Sequence, residues 1–362
     1  MRKYWLIICR QCVTLLPGNR HFTFVFFLAL TFCLSCLNNS ETVKIQKNRN
    51  NIIQVRDKVK EIKIEDVLIS NHSRVYIIDQ YLIIKDYNSY DKAIHLFNKN
   101  DFSYVASTGD RGPGPNELTL AGDIGVNEAD RIFYVTDHGK QRIFRFDLDS
   151  VLADPHYYPK ESRKMDRTQF PSEYLYINDT LSFGLFILPV SNSDYIPAVG
   201  KWNIQTDEVI LLNKHDHPEI ERKRVCFAAS IEHNIFVEGY MHHDLMTICD
   251  LNGNLKYYVY GRKWDNAKQN KFDFYHDIAF CKDKIVILYS DGESGFIEDE
   301  NFGIISNYPS KFIIFNINGD YFQTLETGYK IHGFCFDKDN NRIIMVLDDD
   351  IQFAYLNLDG II

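Results

Sequence analysis

One pattern repeats along the chain without a gap: IFYVTDHGKQRIFRFD (Ile132–Asp147) is matched by IFVEGYMHHDLMTICD (Ile235–Asp250). Each copy contains an apolar strand, a short polar loop and a second, alternating strand that ends in Asp. Four related copies occur elsewhere: Leu82–Asn98, Leu185–Asn203, Ile285–Asn316 and Ile343–Asn357. A repeat of this kind indicates a fold assembled from copies of one supersecondary unit.

The spacing of the repeat predicts the number of units. The residue before each closing Asp or Asn serves as a marker, and successive markers lie 49, 56, 47, 66 and 40 residues apart. The six markers are Phe97, Phe146, Trp202, Cys249, Phe315 and Tyr355. A period of about 50 residues made of short strands is typical of β-propeller blades. We therefore predict an all-β, six-bladed β-propeller of four-stranded blades over residues 51–362.

Turn signals and the last copy complete the predicted fold. Asn-Gly pairs at residues 252–253 and 318–319 stand between alternating apolar runs and predict hairpins that join a third strand to a fourth. The sixth copy reaches Ile362 with room for three strands only. We expect the strand-like segment Asn51–Ile64 to supply the fourth and to close the ring, which removes free sheet edges.

The first 35 residues differ from the rest of the chain. They contain four basic and no acidic residues, and residues 22–34 (FTFVFFLALTFCL) carry no charge. Basic residues followed by a short apolar run predict a signal peptide over residues 1–35. The run is shorter than the roughly 20 residues that a helix needs to cross a bilayer, so a permanent membrane span is disfavoured.

The end of this run, residues 33–36 (CLSC), resembles a bacterial lipobox. We predict that Cys36 is the lipid-attachment site and the mature N-terminus, and that residues 36–50 form a tether. The alternative is cleavage by the ordinary signal peptidase near the same point, which would give a soluble periplasmic protein. Leu37–Glu41 lacks the acidic run associated with surface export, which favours a periplasm-facing, lipid-anchored protein of the bacterial cell envelope.

Composition and charge exclude some partners. The 362 residues are 45% hydrophobic and 25% charged, which is typical of a packed globular protein. Lys and Arg number 40 against 49 Asp and Glu, and without residues 1–35 the balance is 36 against 49, a net charge of −13. Nucleic acids and anionic membrane surfaces need clustered cations, so we predict no nucleic-acid partner and membrane contact through the lipid anchor only.

The cysteines do not have the spacing of a metal site or a redox motif. Outside the targeting segment they are Cys226, Cys249, Cys281 and Cys335, about 40 residues apart and without a CxxC pair. Their flanks are strand-like and apolar. We expect buried, reduced thiols that pack as small hydrophobic groups.

Several stretches resemble known families. The repeat at Ile132–Asp147 looks like the NHL-type propeller repeat, and STGDRGPGPNEL (Ser107–Leu118) resembles the GRGPGEF signature of exported six-bladed propeller lipoproteins of Bacteroidota. Lys311–Lys330 and the segment after it are similar to the TolB-like branch of that group. The resemblance implies the propeller fold and an exported lipoprotein, and it assigns no catalytic residue.

One face of the propeller is predicted to carry the ligand site. Strand direction alternates within a blade, so the loop between strands two and three lies on the same face as the loop that leads to the next blade. Candidate residues on this face are Arg111, Glu117, His138, His242, His243, Asp244, His276, Asp277 and His332. The last three begin innermost strands, where side chains can reach a channel mouth.

Each candidate also has a structural interpretation. The loop at Gly109–Glu117 could cradle an anion or clamp a partner, but its glycines and prolines equally suit a tight crossing between blades. The histidines could bind a metal with Asp244 or Asp277, or they could be chance neighbours on loops. We interpret His215–His217 as a solvated turn.

The fifth unit carries an insertion of about 16 residues, Asp291–Pro309. Long loops in compact domains are usually functional or disordered. The insertion is compatible with a lid or partner-contact loop, with calcium capture by its acidic residues, or with a passive solvated loop. It lacks the spacing of a dedicated calcium loop.

Two classes of function can be distinguished from the sequence; a third, a purely structural subunit of a larger envelope complex, shares the sequence features of the first. The first is a binding or scaffolding module for an envelope protein, a peptide or a glycan. The second is an exported hydrolase, lactonase or lyase that uses a divalent metal at the channel mouth. The chain has no GxSxG nucleophile motif. Inner strands such as Gly122–Val126 and Val225–Ser230 begin with mostly apolar or small residues, which favours the binding module, with no cofactor and no enzymatic activity.

Overall fold

A computed structural model describes residues 42–154, 156–191, 194–212, 214–264, 273–299 and 303–362. The predicted signal peptide and Cys36 lie outside these residues. The N-terminal segment contains three short strands: β1 (Val43–Ile45), β2 (Ile52–Gln54) and β3 (Val59–Glu61). A 3₁₀ turn at Arg56–Lys58 separates the last two.

The first three repeats form three antiparallel sheets of four strands each. Blade 1 contains β4 (Ser73–Ile78), β5 (Tyr81–Asp86), β6 (Lys92–Asn98) and β7 (Tyr104–Asp110). Blade 2 contains β8 (Ala121–Asn127), β9 (Ile132–Asp137), β10 (Arg142–Asp147) and β11 (Lys160–Lys164), with helix α1 (Leu148–Ala153) before β11. Blade 3 contains β12 (Phe170–Asn178), β13 (Leu181–Pro189), β14 (Tyr195–Asn203) and β15 (Glu208–Leu211).

The remaining repeats form blades 4 to 6. Blade 4 contains β16 (Val225–Ser230), β17 (Ile235–Tyr240), β18 (Leu245–Asp250) and β19 (Leu255–Tyr260). Blade 5 contains β20 (Asp273–Cys281), β21 (Lys284–Asp299), β23 (Lys311–Asn316) and β24 (Tyr321–Glu326), and β22 (Gly303–Asn307) pairs with β21. Blade 6 contains β25 (Ile331–Asp337), β26 (Arg342–Leu347) and β27 (Phe353–Asn357), completed by β3.

The six blades close into a ring. The first strand of each blade is innermost and contacts the first strands of its two neighbours, in the cyclic order β4, β8, β12, β16, β20, β25 and back to β4. In blade 6 the fourth strand comes from the N-terminal segment, where Glu61 pairs with Ala354 and Val59 with Leu356. The six-bladed, four-stranded fold predicted from the repeat is confirmed.

The N-terminal segment does more than complete blade 6. β1 adds to the outer edge of blade 4 beside β19, and β2 pairs in parallel with β24 on the outer edge of blade 5. We call residues 43–61 the N-terminal belt. Because unpaired edge strands expose backbone N–H and C=O groups, the belt satisfies these groups on three neighbouring blades.

The repeat reflects burial on both faces of each sheet. All six residues of β9 and of β17 are buried, because neighbouring blades cover both faces, and this explains the nearly continuous apolar second strand. Both Asn-Gly pairs form turns between third and fourth strands, with φ of +81° at Gly253 and at Gly319. Cys226, Cys249 and Cys281 are buried and unpaired, as expected, whereas Cys335 is unpaired but only partly buried, because it lines the central cavity.

The insertion in blade 5 is a β-hairpin. β21 continues past the end of the blade and pairs with β22, with Gly295 opposite Asn307 and Asp299 opposite Gly303. The insertion, interpreted from the sequence as a long loop, instead extends two ladder strands and so pairs its own backbone groups. Among the described residues, no helix is long and apolar enough to cross a membrane.

Candidate functional site

A central cavity of about 790 Å³ lies among the six inner strands. Every blade contributes to its wall. The contributing residues include Arg74, Asp123, Glu173, Phe227, Asp277 and Phe334, one from each inner strand. Deep concave sites with a few convergent polar groups are the usual places for ligands in proteins.

Four charged residues of this wall form one cluster, which we call the Arg74 cluster. The Arg74 guanidinium lies 3.2 Å from Glu173 Oε1, 3.4 Å from Asp277 Oδ1 and 3.9 Å from Asp123 Oδ1. These four residues come from blades 1, 3, 5 and 2. One guanidinium therefore faces three carboxylates, and the cluster has an excess of negative charge.

Backbone and tyrosine contacts hold two of the carboxylates in place. Asp123 accepts hydrogen bonds from the Tyr76 hydroxyl at 2.6 Å and from the Tyr174 N–H at 3.1 Å. Asp277 accepts from its neighbour Ile278 N–H at 3.0 Å and from the Phe334 N–H at 3.3 Å. Because these donors belong to the sheet framework, the positions of both carboxylates are fixed by the fold.

Burial shapes the ionisation of the cluster. It raises the pKa of Glu173 and of Asp277 above their ordinary values, and the nearby Arg74 charge only partly opposes this. Burial also opposes the charge of Arg74, but Glu173 and Asp277 outweigh it and raise the arginine pKa. The arginine therefore stays charged while two of the acids take up protons more readily than usual.

A buried lysine lies behind the cluster. Lys85 is fully buried, donates to the carbonyl oxygen of Gly122, and places its ammonium 4.1 Å from the Tyr87 ring centroid. Burial lowers its pKa. His138, a sequence candidate, stands beside Gly122, and burial together with the Lys85 charge lowers its pKa. His138 therefore lies next to the cluster but outside its ion pairs.

The three candidates predicted at inner-strand starts have different environments. His332 lies near the start of β25, whereas His276 and Asp277 lie in the middle of β20, which begins at Asp273. Asp277 lines the central cavity. The His276 ring faces Ser290 Oγ at 3.3 Å, and burial lowers its pKa to about 4. The His332 ring lies 5.0 Å from the His72 ring, and burial, followed by His72, lowers its pKa to about 4.

The residues 242–244 do not converge on one point. His242 Nδ1 lies 2.8 Å from Asp273 Oδ1. His243 is buried against Trp264, with ring centroids 5.9 Å apart, and burial lowers its pKa to about 4. Asp244 is fully buried and pairs with Arg49 of the N-terminal belt. Asp244 therefore helps to hold the belt.

The glycine-rich loop uses its polar groups internally. The Glu117 carboxylate accepts from the Gly114 N–H at 2.7 Å, and Arg111 donates to the Tyr87 carbonyl oxygen at 3.2 Å. Lys140 donates to the Glu117 carbonyl oxygen at 2.6 Å. A Cβ atom at Gly112 would lie 2.1 Å from the Glu117 carboxylate. These contacts favour the structural interpretation of this loop.

Among the described residues, one group could supply three metal ligands: His215, Asp216 and Glu238. A cation of the protein already occupies it, because Lys223 Nζ lies 2.6 Å from both Asp216 Oδ1 and Glu238 Oε1. His215 is 1% exposed, so the interpretation of this stretch as a solvated turn was wrong. In the insertion, Asp291 is also engaged, by Arg262 and by the Tyr289 hydroxyl.

Sequence reasoning missed three members of the Arg74 cluster. Arg74, Asp123 and Glu173 each lie among the first four residues of an inner strand. The signal that marks them is a charged residue inside a strand that otherwise alternates small and apolar residues. Comparing the same strand position across all six repeats would have brought them together.

Comparison with known proteins supports the fold. Residues 38–182 match the family DUF5128, described as a 6-bladed beta-propeller. No curated protein matches the chain. A solved protein of Bacteroides fragilis that is described as exported has 10% identity and a TM-score of 0.53, and the alignment covers 87% of this chain and 98% of that one.

Two further structures have similar scores. A DUF4221 family member from Bacteroides vulgatus has 10% identity and a TM-score of 0.53, with 83% of this chain and 98% of that one covered. The WD40 repeats of RRP9 have 9% identity and a TM-score of 0.52, with 83% and 97% covered. The chain is thus a six-bladed β-propeller, and its residues 38–182 are similar in sequence to DUF5128.

Proposed function

We propose that this protein is an exported binding module whose central cavity receives a positively charged group from its partner, such as a Lys or Arg side chain of a peptide or protein. The observation that carries this proposal is the Arg74 cluster, in which three carboxylates face one guanidinium inside a cavity of about 790 Å³. A cation placed there would offset the excess negative charge in a partly desolvated site.

The geometry favours binding over catalysis. Asp123 and Asp277 each accept backbone N–H groups, so the cavity presents fixed charges rather than a nucleophile with an adjacent base. The alternative, a hydrolase, lactonase or lyase with a metal at the cavity mouth, would draw on His276, Asp277 and His332. His276 and His332 instead contact Ser290 and His72.

The proposed place of action is the bacterial envelope. The signal-like residues 1–35 and the lipobox-like residues 33–36 support export and a lipid anchor at Cys36, and the GRGPGEF-like, NHL-like and TolB-like stretches point the same way. The similar Bacteroides fragilis protein is described as exported. Labelling cells with radioactive palmitate tests the anchor: a Cys36→Ala chain that is labelled as well as the parent chain rules it out.

Titration calorimetry tests the binding site. The full chain in detergent is titrated with a short peptide that has a central Lys and with its Gln counterpart. We expect the Lys peptide to bind about tenfold more tightly, and Glu173→Gln to remove most of this preference. Glu161→Gln, on the exposed strand β11, is the matched control. Equal affinities for the two peptides contradict the proposal.

A further inference from the structure

The central cavity opens on one face of the propeller. Its lining includes exposed residues of the turns that join first strands to second strands: Asp79 in blade 1, Glu128 and Ala129 in blade 2, and Lys338 in blade 6. The described residues of the loops that join second strands to third strands do not line it. The mouth therefore lies among the first turns of the blades, and we call this side of the propeller the turn face.

The Arg74 cluster lies at the deep end of the cavity. In every inner strand the lining begins at the level of this cluster and continues toward the turn face. Asp79, at the mouth, follows Arg74 by five residues, so the cavity is about 16 Å deep at a strand rise of about 3.3 Å per residue. A volume of about 790 Å³ over this depth gives a mean cross-section of about 50 Å².

This width accommodates one extended chain. Neighbouring strands of a sheet lie about 4.8 Å apart and stacked sheets about 10 Å apart, so a single extended chain with its side chains also occupies about 50 Å². A hairpin needs about twice this area, because it places two chain segments side by side. A folded loop therefore does not reach the Arg74 cluster, whereas a chain end does.

The balance of charge differs between the two ends of the cavity. Six charged residues line it near the mouth: Asp79, Lys99, Glu128, Arg131, Lys338 and Asp339. Three of them are acidic and three are basic, and Arg131 pairs with Asp79 as Lys99 does with Asp339. The Arg74 cluster instead has three carboxylates and one guanidinium. A cation is therefore attracted most strongly to the deep end.

The wall between the two ends is apolar. Ile77, Val126, Leu175, Phe280 and Phe336 line it, and each comes from a different inner strand. None of the described residues that line this middle part carries a charge. Burial of apolar surface against this wall is favourable. A ligand whose cation reaches the deep end therefore gains most when the part behind the cation is apolar.

The inner strands also offer backbone groups to a ligand. Each of them pairs with a second strand on one side only, so the N–H and C=O groups of alternate residues point away from that strand. The Phe334 N–H uses this direction to donate to Asp277 at 3.3 Å. Phe336, two residues nearer the mouth in the same ladder, has its backbone turned the same way. An extended peptide can pair with such groups, whereas an alkylamine cannot.

The depth determines where the cation lies in the ligand chain. A Lys side chain reaches only about 6 Å from its Cα, so about three extended residues must span the other 10 Å or so to the mouth. The cavity has no width for the chain to turn back, so the basic residue lies next to a free chain end. The three carboxylates of the deep end repel a C-terminal carboxylate and attract an N-terminal ammonium.

From this shape and charge we infer that the ligand of the central cavity is the free N-terminal end of an extended peptide chain, with Lys or Arg as its first or second residue. This end enters from the turn face and brings the basic side chain to the Arg74 cluster, while the apolar residues that follow pack against the wall. The inference rests on the proposed function, because both use the Arg74 cluster. It adds the class of partner and the direction of entry.

The test compares two peptides of equal charge. Both have ten residues, with Lys at the second position and small apolar residues after it; one is linear with both ends blocked, and the other is closed head to tail. Calorimetry with the full chain in detergent measures both affinities. We expect the linear peptide to bind about tenfold more tightly, because the cyclic one must place two chain segments in the cavity. A free N-terminal ammonium on the linear peptide should tighten binding further.

A variant at the mouth tests the direction of entry. Ala129 is exposed and lines the mouth, so Ala129→Trp narrows the entrance and leaves the core unchanged. We expect it to weaken binding of the linear peptide about tenfold. Ala153→Trp is the matched control, because Ala153 is exposed at the end of α1 and does not line the cavity. This control should bind like the parent chain.

The possible outcomes separate this inference from the proposed function. Equal affinity for the linear and cyclic peptides, unchanged binding by Ala129→Trp, or an alkylamine that binds as tightly as the linear peptide would overturn the inference. If Glu173→Gln still weakens binding in those cases, the proposed cation site stands without it. Unchanged binding by Glu173→Gln, or no binding of either peptide, would overturn the proposed function and this inference together.

Discussion

Arg49 Nη1 donates a hydrogen bond to Asp244 Oδ1 at 2.9 Å, although 195 residues separate the two in sequence. The two side chains are 5% and 0% exposed. The same guanidinium donates to the hydroxyls of Tyr275 and Tyr289, each at 3.2 Å. These contacts hold the part of the N-terminal belt that links β1 to β2 against the junction of blades 4 and 5.

We expect Arg49→Ala to lower the free energy of unfolding by about 3–5 kcal/mol, because it leaves the buried Asp244 carboxylate without its cation. Urea unfolding followed by tryptophan fluorescence measures the loss. Lys44→Ala is the matched control on the same belt: its partner Asp320 is 52% exposed, so its removal should cost less than about 1 kcal/mol. Equal losses in the two variants would mean that the belt is held by its strand pairing alone.

The repeat made the fold readable from the sequence. All six marker residues, from Phe97 to Tyr355, lie in the third strands of their blades. The nearly continuous apolar second strand and the alternating third strand of each repeat leave a strong local pattern. The fourth strand of blade 6 was also predictable, since an unpaired strand and an incomplete repeat occur in the same chain.

The candidate site was much less visible in the sequence, for two physical reasons. Members of the Arg74 cluster come from four blades, so no local spacing relates Arg74 to Asp123 or Glu173. In addition, β8 has an irregular register between Ala121 and Ile124, which breaks the alternation that would show Asp123 facing the cavity. Asp277 was found only because the sequence placed it at the start of a strand beside a histidine, although β20 begins four residues earlier, at Asp273.

Asp137 ties blade 2 to the connection that precedes it. Its fully buried carboxylate accepts from the N–H groups of Thr119 at 2.7 Å, Leu120 at 3.2 Å and Lys140 at 3.0 Å. We expect Asp137→Ala to destabilise the fold by about 2–4 kcal/mol, because these donors lose their acceptor together. Thermal unfolding followed by circular dichroism measures the effect. Asp149→Ala, with a side chain 70% exposed, should change stability little, and similar shifts in both variants would contradict this role.

Glu238 gives the fold a specific acid sensitivity. Burial alone would raise its pKa, but the Lys223 ammonium and the His215 hydrogen bond outweigh burial and lower the pKa to about 2 from 4.5. A carboxyl with a depressed pKa stabilises the folded state above the unfolded pKa, and this stability is lost as the pH falls through the folded pKa. The window therefore runs from pH 4.5 down to about 2.

We expect Glu238→Gln to lower the free energy of unfolding by about 3 kcal/mol at pH 7. Between pH 4.5 and 2, the free energy of unfolding of this variant should fall less than that of the parent chain. Urea unfolding at pH 7, 4.5 and 3 measures both effects. Glu208→Gln, at an exposed carboxyl on β15, serves as the control. Parallel loss of stability in the parent chain and in Glu238→Gln over that window would assign the acid sensitivity to other groups.

The carboxyls of the central cavity contribute to folding stability with a pH dependence opposite to that of Glu238. Glu173 and Asp277 have pKa values raised by burial above 4.5 and 3.8, so each group destabilises the folded state once the pH rises through its folded pKa and it must ionise. A cationic ligand prefers the ionised carboxylates. Its affinity should therefore fall as the pH is lowered, beginning above pH 4.5, and binding near the folded pKa should release protons.

Calorimetry with the Lys-containing peptide checks this in two buffers that differ in ionisation enthalpy, since a difference in apparent binding enthalpy counts the protons released. In Glu173→Gln the pH dependence should become shallower, because one titrating group is gone, while in Glu161→Gln it should be unchanged. Affinity that stays constant or increases on acidification would show that the ligand is not held by these carboxylates. If Glu173→Gln still releases protons and its affinity depends on pH as in the parent chain, the titrating group is Asp277. Asp277 is the other carboxyl of the Arg74 cluster whose pKa is raised by burial.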